Sequence, residues 1–422
     1  MEEPINLKSE YRKYIRAYVN DQKRDGSIGY WGSMKASKGA EELLDKAEIL
    51  VNEFKYSEAI SIYQAIIEVL VPVIQFADDS SGTIGDAINN AVEGFKKCSA
   101  LITQTEKDKL FKYLVKEANK EQYHGWDWEI DLLTIAAELT DNERKTGILF
   151  DLLGKIGNRK DDKGLINEFI YENTLRLNCL VLKKRGFIPE FKSLVRENIH
   201  LTPMREIAIQ DAIADSRFEE ARTLSFAGIK LAKEKRFPGL INTWQKYLME
   251  IAKKESNSED IKKYSKDLFI NTGDMAYYEE LRCQYPASEW PARLRELLKE
   301  VPERIYAQDI PGKIFIYEED WEGLLSFVKQ HSHNVYLIMR YHDHLIKRFP
   351  KELSEMYGIG LRKAIESAQN RNGYHRVCKL ISYMEDCGIK ENVRDLVEWA
   401  RMTYSFRTAL QDELRKAVKD GY

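Results

Sequence analysis

Two close pairs of histidines are the first groups in this sequence that could do chemistry. His331 and His333 flank one residue, and so do His342 and His344. Neutral imidazole is a good ligand for zinc, copper or nickel. Side chains two positions apart on a helix point about 200° away from each other, which is poor geometry for sharing one ion, although this objection weakens in a loop. We therefore expect neither a metal site nor a bound cofactor.

A polar cluster at residues 78–82, DDSSG, lies between apolar segments. A calcium loop would need further oxygen ligands at alternating positions and a closing acidic residue, and the sequence lacks both there. Thr83 followed by Asp86 instead predicts the start of a helix, with a pair of side chains that resembles a capping box. We favour this interpretation. Three residues of the cluster remain candidates for contacts with a basic partner: Asp78, Asp79 and Ser80.

The C-terminal third is rich in basic and aromatic residues, which together can hold nucleic acid by charge and stacking. Glutamates such as Glu352 and Glu366 are interleaved with them, so we favour a solvated face with ion pairs within helices. The candidates for contacts with a partner are Arg340, Tyr341, Arg348, Arg401, Tyr404 and Arg407. Trp126 is a further candidate, although an aromatic stripe with Tyr123 and Trp128 is more simply explained as core packing.

The motifs of familiar catalytic sites are missing from this sequence. There is no phosphate-binding GxxxxGK[ST] or GxGxxG, no HExxH of zinc proteases and no GxSxG of hydrolases. The 5 cysteines are scattered and form no CxxC pair, which predicts small buried side chains in a reducing compartment. We predict that the protein is not an enzyme, with an unrecognised hydrolase as an alternative.

The composition is typical of a folded helical protein. Of 422 residues, 43% are hydrophobic and 32% are charged, a balance that disordered chains do not have. The formal net charge of −3 gives no overall attraction to nucleic acid or to an anionic membrane. The N-terminus lacks the apolar stretch of a signal peptide, and the longest apolar run, residues 65–77, is too interrupted to cross a bilayer. These features predict a cytoplasmic protein.

Short amphipathic helices fill the C-terminal part of the chain. Apolar residues recur every three or four positions, as at Ile338, Tyr341 and Leu345, so they share one helix face. Pro350 blocks continuation of that helix, and Gly388 offers a left-handed C-cap to a later one. None of these helices can bury its apolar face alone, so they must stack as in a helical solenoid.

An earlier pair of helices resembles a tetratricopeptide unit. The small residues Ala47 and Ala59 stand where two helices must approach closely, and Tyr63 fills the space beside them. The turn-then-alanine pattern of residues 55–59 returns at residues 217–221. Two imperfect copies predict an array that is tetratricopeptide-like, without a regular period.

We therefore predict an all-α fold, a tetratricopeptide-like right-handed α-solenoid of stacked helical hairpins. We interpret the segment DIPGK at residues 309–313 as a non-helical joint. The predicted parts are a lead-in helix with a Gly-rich loop at residues 1–36, an N-terminal helical array at residues 37–308 and a C-terminal helical array at residues 309–422.

Three places in the chain together suggest a family. They are the acidic turn at residues 76–86, Trp126-Asp127-Trp128 after a glycine, and a tail in which residues 371–376 lead into a helix, Cys387-Gly388 stops it and residues 404–410 start the last helix. This order resembles the helical region that follows the zinc finger in bacterial SWIM zinc-finger proteins. The finger itself needs CxC and then CxH for its zinc ligands. This sequence has neither motif, so a finger precedes it in a longer protein or the chain is a relative without one.

The resemblance implies an accessory protein of DNA-associated machinery, including helicase-like ATPases. Stacked helical hairpins also form extended grooves that bind peptides or helices. We therefore expect a non-catalytic scaffold with a protein partner, a helicase-like or other ATPase, and no membrane partner. Direct nucleic-acid binding through the basic and aromatic C-terminal third is the alternative.

Overall fold

The computed structural model describes residues 7–160, 163–302, 309–386 and 390–417. Two compact units divide the chain, Met1–Leu224 and Ser225–Tyr422. Within the described residues every regular element is a helix, apart from three isolated β-bridges. The prediction of an all-α array of stacked helical hairpins is confirmed, because in each unit helices that follow one another in sequence pack together.

The first unit contains α1 (Leu7–Gln22), α2 (Tyr30–Ala36), α3 (Lys38–Asn52), α4 (Tyr56–Ile74), α5 (Thr83–Ser99), α6 (Gln104–Ala118), a short 3-10 helix (Glu121–Tyr123), α7 (Trp128–Glu138), α8 (Glu143–Gly157), α9 (Glu168–Lys184), α10 (Ile188–Glu197) and α11 (Thr202–Ala214). The division between the units falls within α12 (Phe218–Glu234). The second unit continues with α13 (Pro238–Lys254), α14 (Ser258–Thr272), α15 (Met275–Cys283), α16 (Trp290–Glu300), α17 (Ile310–Tyr317), α18 (Trp321–Gln330), α19 (Val335–Leu345), α20 (Pro350–Ser367), α21 (Arg371–Asp386), α22 (Lys390–Thr403) and α23 (Thr408–Ala417).

One apolar helix, α4, forms the centre of the first unit. It buries residues on nearly every side, among them Ala59, Ile62, Ile66 and Leu70, and it packs against α1, α3 and α5. By length and composition alone α4 could cross a membrane, but 67% of its apolar window is buried inside the protein. That degree of burial is expected of a core helix.

The predicted lead-in contains a helix, α1, and a Gly-containing loop after it, but α1 belongs to the core of the first unit. Ile15 is fully buried there, and Lys8 and Arg12 reach the Glu68 carboxylate of α4 at 3.0 and 2.9 Å. The Gly-rich segment continues directly into α2.

Several helices end in the same tight turn. One residue takes the left-handed backbone conformation, and the N–H of the next residue bonds to the carbonyl five positions earlier, which is the Schellman motif. The left-handed residues are Phe54, Gly186, Ser216, Arg236, Ser256 and Glu319. The turn-then-alanine patterns at residues 55–59 and 217–221 follow two of these turns. Three of the turns stand at equal intervals, so α12, α13 and α14 form a regular series that the sequence analysis missed.

The predicted joint at residues 309–313 is instead the start of a helix. α17 carries Pro311 in its first turn. The backbone N–H groups of that turn make no hydrogen bond within the helix, so a proline costs nothing there. Ile314 packs with Phe269 and Tyr278 in one buried cluster. Residues on both sides of the predicted joint therefore share a core, and the division between compact units lies at Leu224 instead.

The predicted helices near the C-terminus are present. Pro350 begins α20, and a stripe that includes Leu353, Tyr357 and Leu361 is buried along it. One apolar cluster includes residues of every helix from α18 to α23. The predicted stop at Cys387-Gly388 lies outside the described residues.

Candidate functional site

An open groove lies across the first unit where α7, α9, α10 and α11 adjoin. Its volume is about 500 Å³, and side chains from all four helices line it. The apolar lining residues are Ile130, Leu177, Leu180, Phe191 and Ile207. A concave, largely apolar surface of this size is typical of ligand and peptide sites.

The groove forms because the neighbours of α9 leave one of its faces open. Leu175 and Leu182 pack into a small apolar cluster with α10 and α11, whereas Arg176, Leu180 and Lys183 line the groove. Residues three and four apart share a helix face, so these three form one stripe. Leu180 is 41% exposed, and the groove therefore offers an apolar side chain to solvent.

Asp211 stands where the groove adjoins a second cavity of about 390 Å³. Its carboxylate is neutralised by Lys183 and Arg217, whose nitrogen atoms lie at 2.7 and 2.9 Å. The two cavities share Phe191 and Asp211 as walls. They therefore lie side by side, and we refer to the two together as the groove.

Two carboxyl groups, Asp131 on the lining of the groove and Glu206 on α11 near Arg176, are held partly out of water. Burial raises the pKa of Asp131, and the negative charges of Asp127 and Glu93 raise it further. Burial also raises the pKa of Glu206, while the nearby Arg176 acts in the opposite direction. A partly desolvated carboxylate gains more than an exposed one when a cation approaches.

The only thiol that lines the first cavity is a poor nucleophile. Burial raises the pKa of Cys179 to about 11, and its sulfur lies 3.8 Å from the sulfur of Met204. A reactive cysteine needs a lowered pKa and access to solvent. The lining of the groove is therefore suited to binding, and its described residues show no activated nucleophile.

The polar cluster at residues 78–82 caps a helix, as favoured from the sequence. The Asp79 carboxylate accepts hydrogen bonds from two backbone N–H groups in the first turn of α5 at 3.0 and 2.9 Å. Asp78 accepts hydrogen bonds from the backbone and the hydroxyl of Ser80. The prediction that Thr83 is the capping residue is wrong. Gly82, just before α5, takes the left-handed backbone conformation. It turns the chain so that Asp79 lies over the helix N-terminus.

The aromatic stripe beside Trp126 is packed as core, which confirms the simpler interpretation. Trp126 stacks on Trp128 with ring centres 4.8 Å apart, and the Trp128 indole donates to Asn89 at 2.6 Å. Tyr123 is fully buried. Trp126 itself is partly buried against this core.

The first three C-terminal candidates are occupied by local contacts. Arg340 pairs with Asp309 at 2.9 Å, and Tyr341, only 2% exposed, donates to the same carboxylate. The guanidinium of Arg348 lies 4.3 Å from the ring centre of Trp321. Arg340 and Arg348 are exposed but engaged in these local contacts, and Tyr341 offers no open ring for stacking.

The other three candidates lie near the end of α22. Arg407 donates to the carbonyls of Ile365 and Ala368 at the end of α20, both at 3.2 Å, and it covers the ring of Tyr404 at 4.1 Å. Arg401 is partly exposed in the last turn of α22. Arg407 and Tyr404 are therefore engaged with each other and with α20, whereas Arg401 has a partly accessible side chain.

The histidines of α19 point in different directions, as the helical spacing predicted. His342 is buried and lies 3.1 Å from the Tyr357 hydroxyl, whereas His344 stacks on Trp321. Among the residues that the structure describes, no three His, Cys, Asp or Glu side chains are grouped to hold a metal. The absence of bound zinc stays a prediction for metal analysis of the purified protein.

The groove itself was missed from the sequence. Its best signal was Leu180, an apolar residue in a stripe of polar ones that includes Asn173, Arg176 and Lys183. A single leucine in such a stripe is common on protein surfaces. Only the packing of α9 shows that it lines a concave surface.

Comparison with known proteins adds little to this site. No protein-family profile matches the sequence, and no curated protein sequence matches it. A solved structure described as a circular tandem repeat protein with novel repeat topology and enhanced subunit contact surfaces is similar at 14% identity over 98% of this chain and 95% of that chain. Its TM-score is 0.21, a value that supports no conclusion about fold or function.

Proposed function

We propose that this protein is a non-catalytic scaffold that binds a segment of a partner protein in the groove of its first unit. The observation that carries the proposal is the open, largely apolar groove with Leu180 exposed on its lining. Burying a leucine side chain contributes about 1.5 to 3 kcal/mol. An apolar stripe on a rigid helix is therefore a suitable anchor point for a partner.

Two further considerations support this function. The buried thiol and the carboxyl groups of the groove have no arrangement of nucleophile and base among the described residues, which agrees with a binding role. The resemblance to the helical region of SWIM proteins supports a DNA-associated ATPase or helicase as the partner. That partner class and a cytoplasmic location stay predictions.

Panning a random peptide library on the purified protein tests the proposal. Peptides that the wild-type protein enriches should fail to bind the Leu180→Asp variant, because a carboxylate buried under an apolar side chain costs several kcal/mol. Leu101→Asp is the matched control, since Leu101 is 57% exposed outside the groove. Absence of any enriched peptide, or equal binding to Leu180→Asp and wild type, would contradict the proposal.

A further inference from the structure

One end of the groove carries an unpaired carboxylate. Asp131 of α7 lines the groove, and its pKa is raised by burial and by the charges of Asp127 and Glu93, with Lys96 acting in the opposite direction. Within the part of the chain that the structure describes, none of these three acids forms a side-chain hydrogen bond or an ion pair. A cation of a partner would therefore relieve their mutual repulsion.

The other end of the groove carries unpaired cations. Lys192 and Arg196 of α10 are exposed and line the second cavity. In the described ranges neither side chain has an ion-pair partner. The nearby Arg217 is already engaged by Asp211 and Glu220. This end therefore has a net positive charge, and an acidic side chain of the partner can form an ion pair with it.

The walls between the two ends favour a helical partner over an extended one. All four walls are helices, whose backbone groups bond within the helix, so they offer no strand edge to pair with a peptide. A helix satisfies its own backbone groups and needs only an apolar stripe and matching charges. The apolar centre of the groove, with Leu177, Leu180 and Phe191, is suited to such a stripe.

We infer that the groove selects an amphipathic helix of the partner with basic residues at one end and acidic residues at the other. This inference rests on the proposed function and adds the chemistry of the partner. The basic end would lie beside Asp131 and the acidic end beside Lys192 and Arg196.

The same peptide panning, followed by affinity measurement, tests the inference. Peptides enriched by the wild type should carry an apolar stripe with Lys or Arg at one end and Asp or Glu at the other. Their affinity should fall about tenfold or more for Asp127→Lys with Asp131→Lys, and similarly for Lys192→Glu with Arg196→Glu. Peptides with the matching charge reversed should regain affinity for the corresponding variant. All four substituted side chains are accessible to solvent at least in part, and circular dichroism checks that the variants fold.

A measurement on the wild type alone keeps the test decisive if a variant fails to fold. Affinity for the charged peptides should decrease with added salt, because exposed charge pairs are screened. Enriched peptides without a charge pattern, or charge reversals that leave affinity unchanged while Leu180→Asp abolishes it, would overturn the inference and leave the scaffold function standing. Enrichment of no peptide would overturn both.

Discussion

α4 and α9 are long helices of the same unit that differ in how many of their faces are buried. α1, α3 and α5 surround α4, and its apolar residues are buried on nearly every side. α9 also has neighbours, α7, α8, α10 and α11, but they leave the stripe that contains Leu180 open. A helix enclosed by others contributes stability, whereas a helix in a hairpin series keeps a face for binding.

The largest expected difference between α4 and α9 is the loss of stability when a leucine is shortened. Leu70→Ala in α4 removes a fully buried side chain and should lower the free energy of unfolding by about 3 kcal/mol. Leu180→Ala in α9 should change it by less than about 0.5 kcal/mol. Urea unfolding of both variants measures the difference within one unit. Equal losses would show that Leu180 is packed as core.

A pair of glycine substitutions tests how closely the core helices approach. A Cβ at Gly94 of α5 would overlap the ring of Tyr63, whereas a Cβ at Gly154 of α8 would meet open space. Gly94→Ala should therefore lower the free energy of unfolding by about 2 kcal/mol. Gly154→Ala should raise it by about 0.8 kcal/mol, because alanine favours the helix. Thermal unfolding should show midpoint shifts of opposite sign, and the same sign in both would contradict this packing.

A smaller effect is expected at the turns that join the hairpins. Gly186 and Ser216 occupy the same left-handed position, with φ of +79° and +58°. Gly186→Ala should cost about 1 kcal/mol, because an L side chain strains this conformation. Ser216→Gly should relieve that strain, but glycine also adds freedom to the unfolded chain, which lowers stability. The two effects oppose each other, so the net change should be neutral or stabilising. Chemical unfolding curves of the two variants measure both changes, and a stabilising Gly186→Ala would refute the shared turn.

The sequence predicted helices best where breaks are strong. Pro350 separates α19 from α20 at the predicted place, because a proline restricts the residue before it. The turn at Ser256 was hidden because a serine, unlike a glycine, does not signal a left-handed residue.

Tertiary contacts explain why the site could not be predicted. Lys8 and Arg12 lie far from Glu68 in the sequence, and only the packing of α1 against α4 brings these charges together. Similarly, Asp131 and Lys192 lie far apart in sequence, and only the packing of α7, α9 and α10 brings them to one groove. Local periodicity records which residues share a helix face, but it does not record which helices adjoin.

The smallest effect is expected for nucleic-acid binding by the second unit. The question there is again whether side chains, in this case cations, are engaged in local contacts or free to bind. Arg348 lies over Trp321 and Arg340 pairs with Asp309, so these charges are engaged in local contacts. Each phosphate that a protein neutralises contributes a salt slope of about −0.9 for duplex and −0.7 for single strands. We expect weak binding that Arg348→Glu with Arg401→Glu hardly changes, as measured by fluorescence anisotropy with labelled single and double strands at two salt concentrations. Tight, salt-dependent binding that the double variant loses would mean that these cations form a free face after all. The cations of the second unit would then be an alternative to the groove of the first unit as the principal binding site.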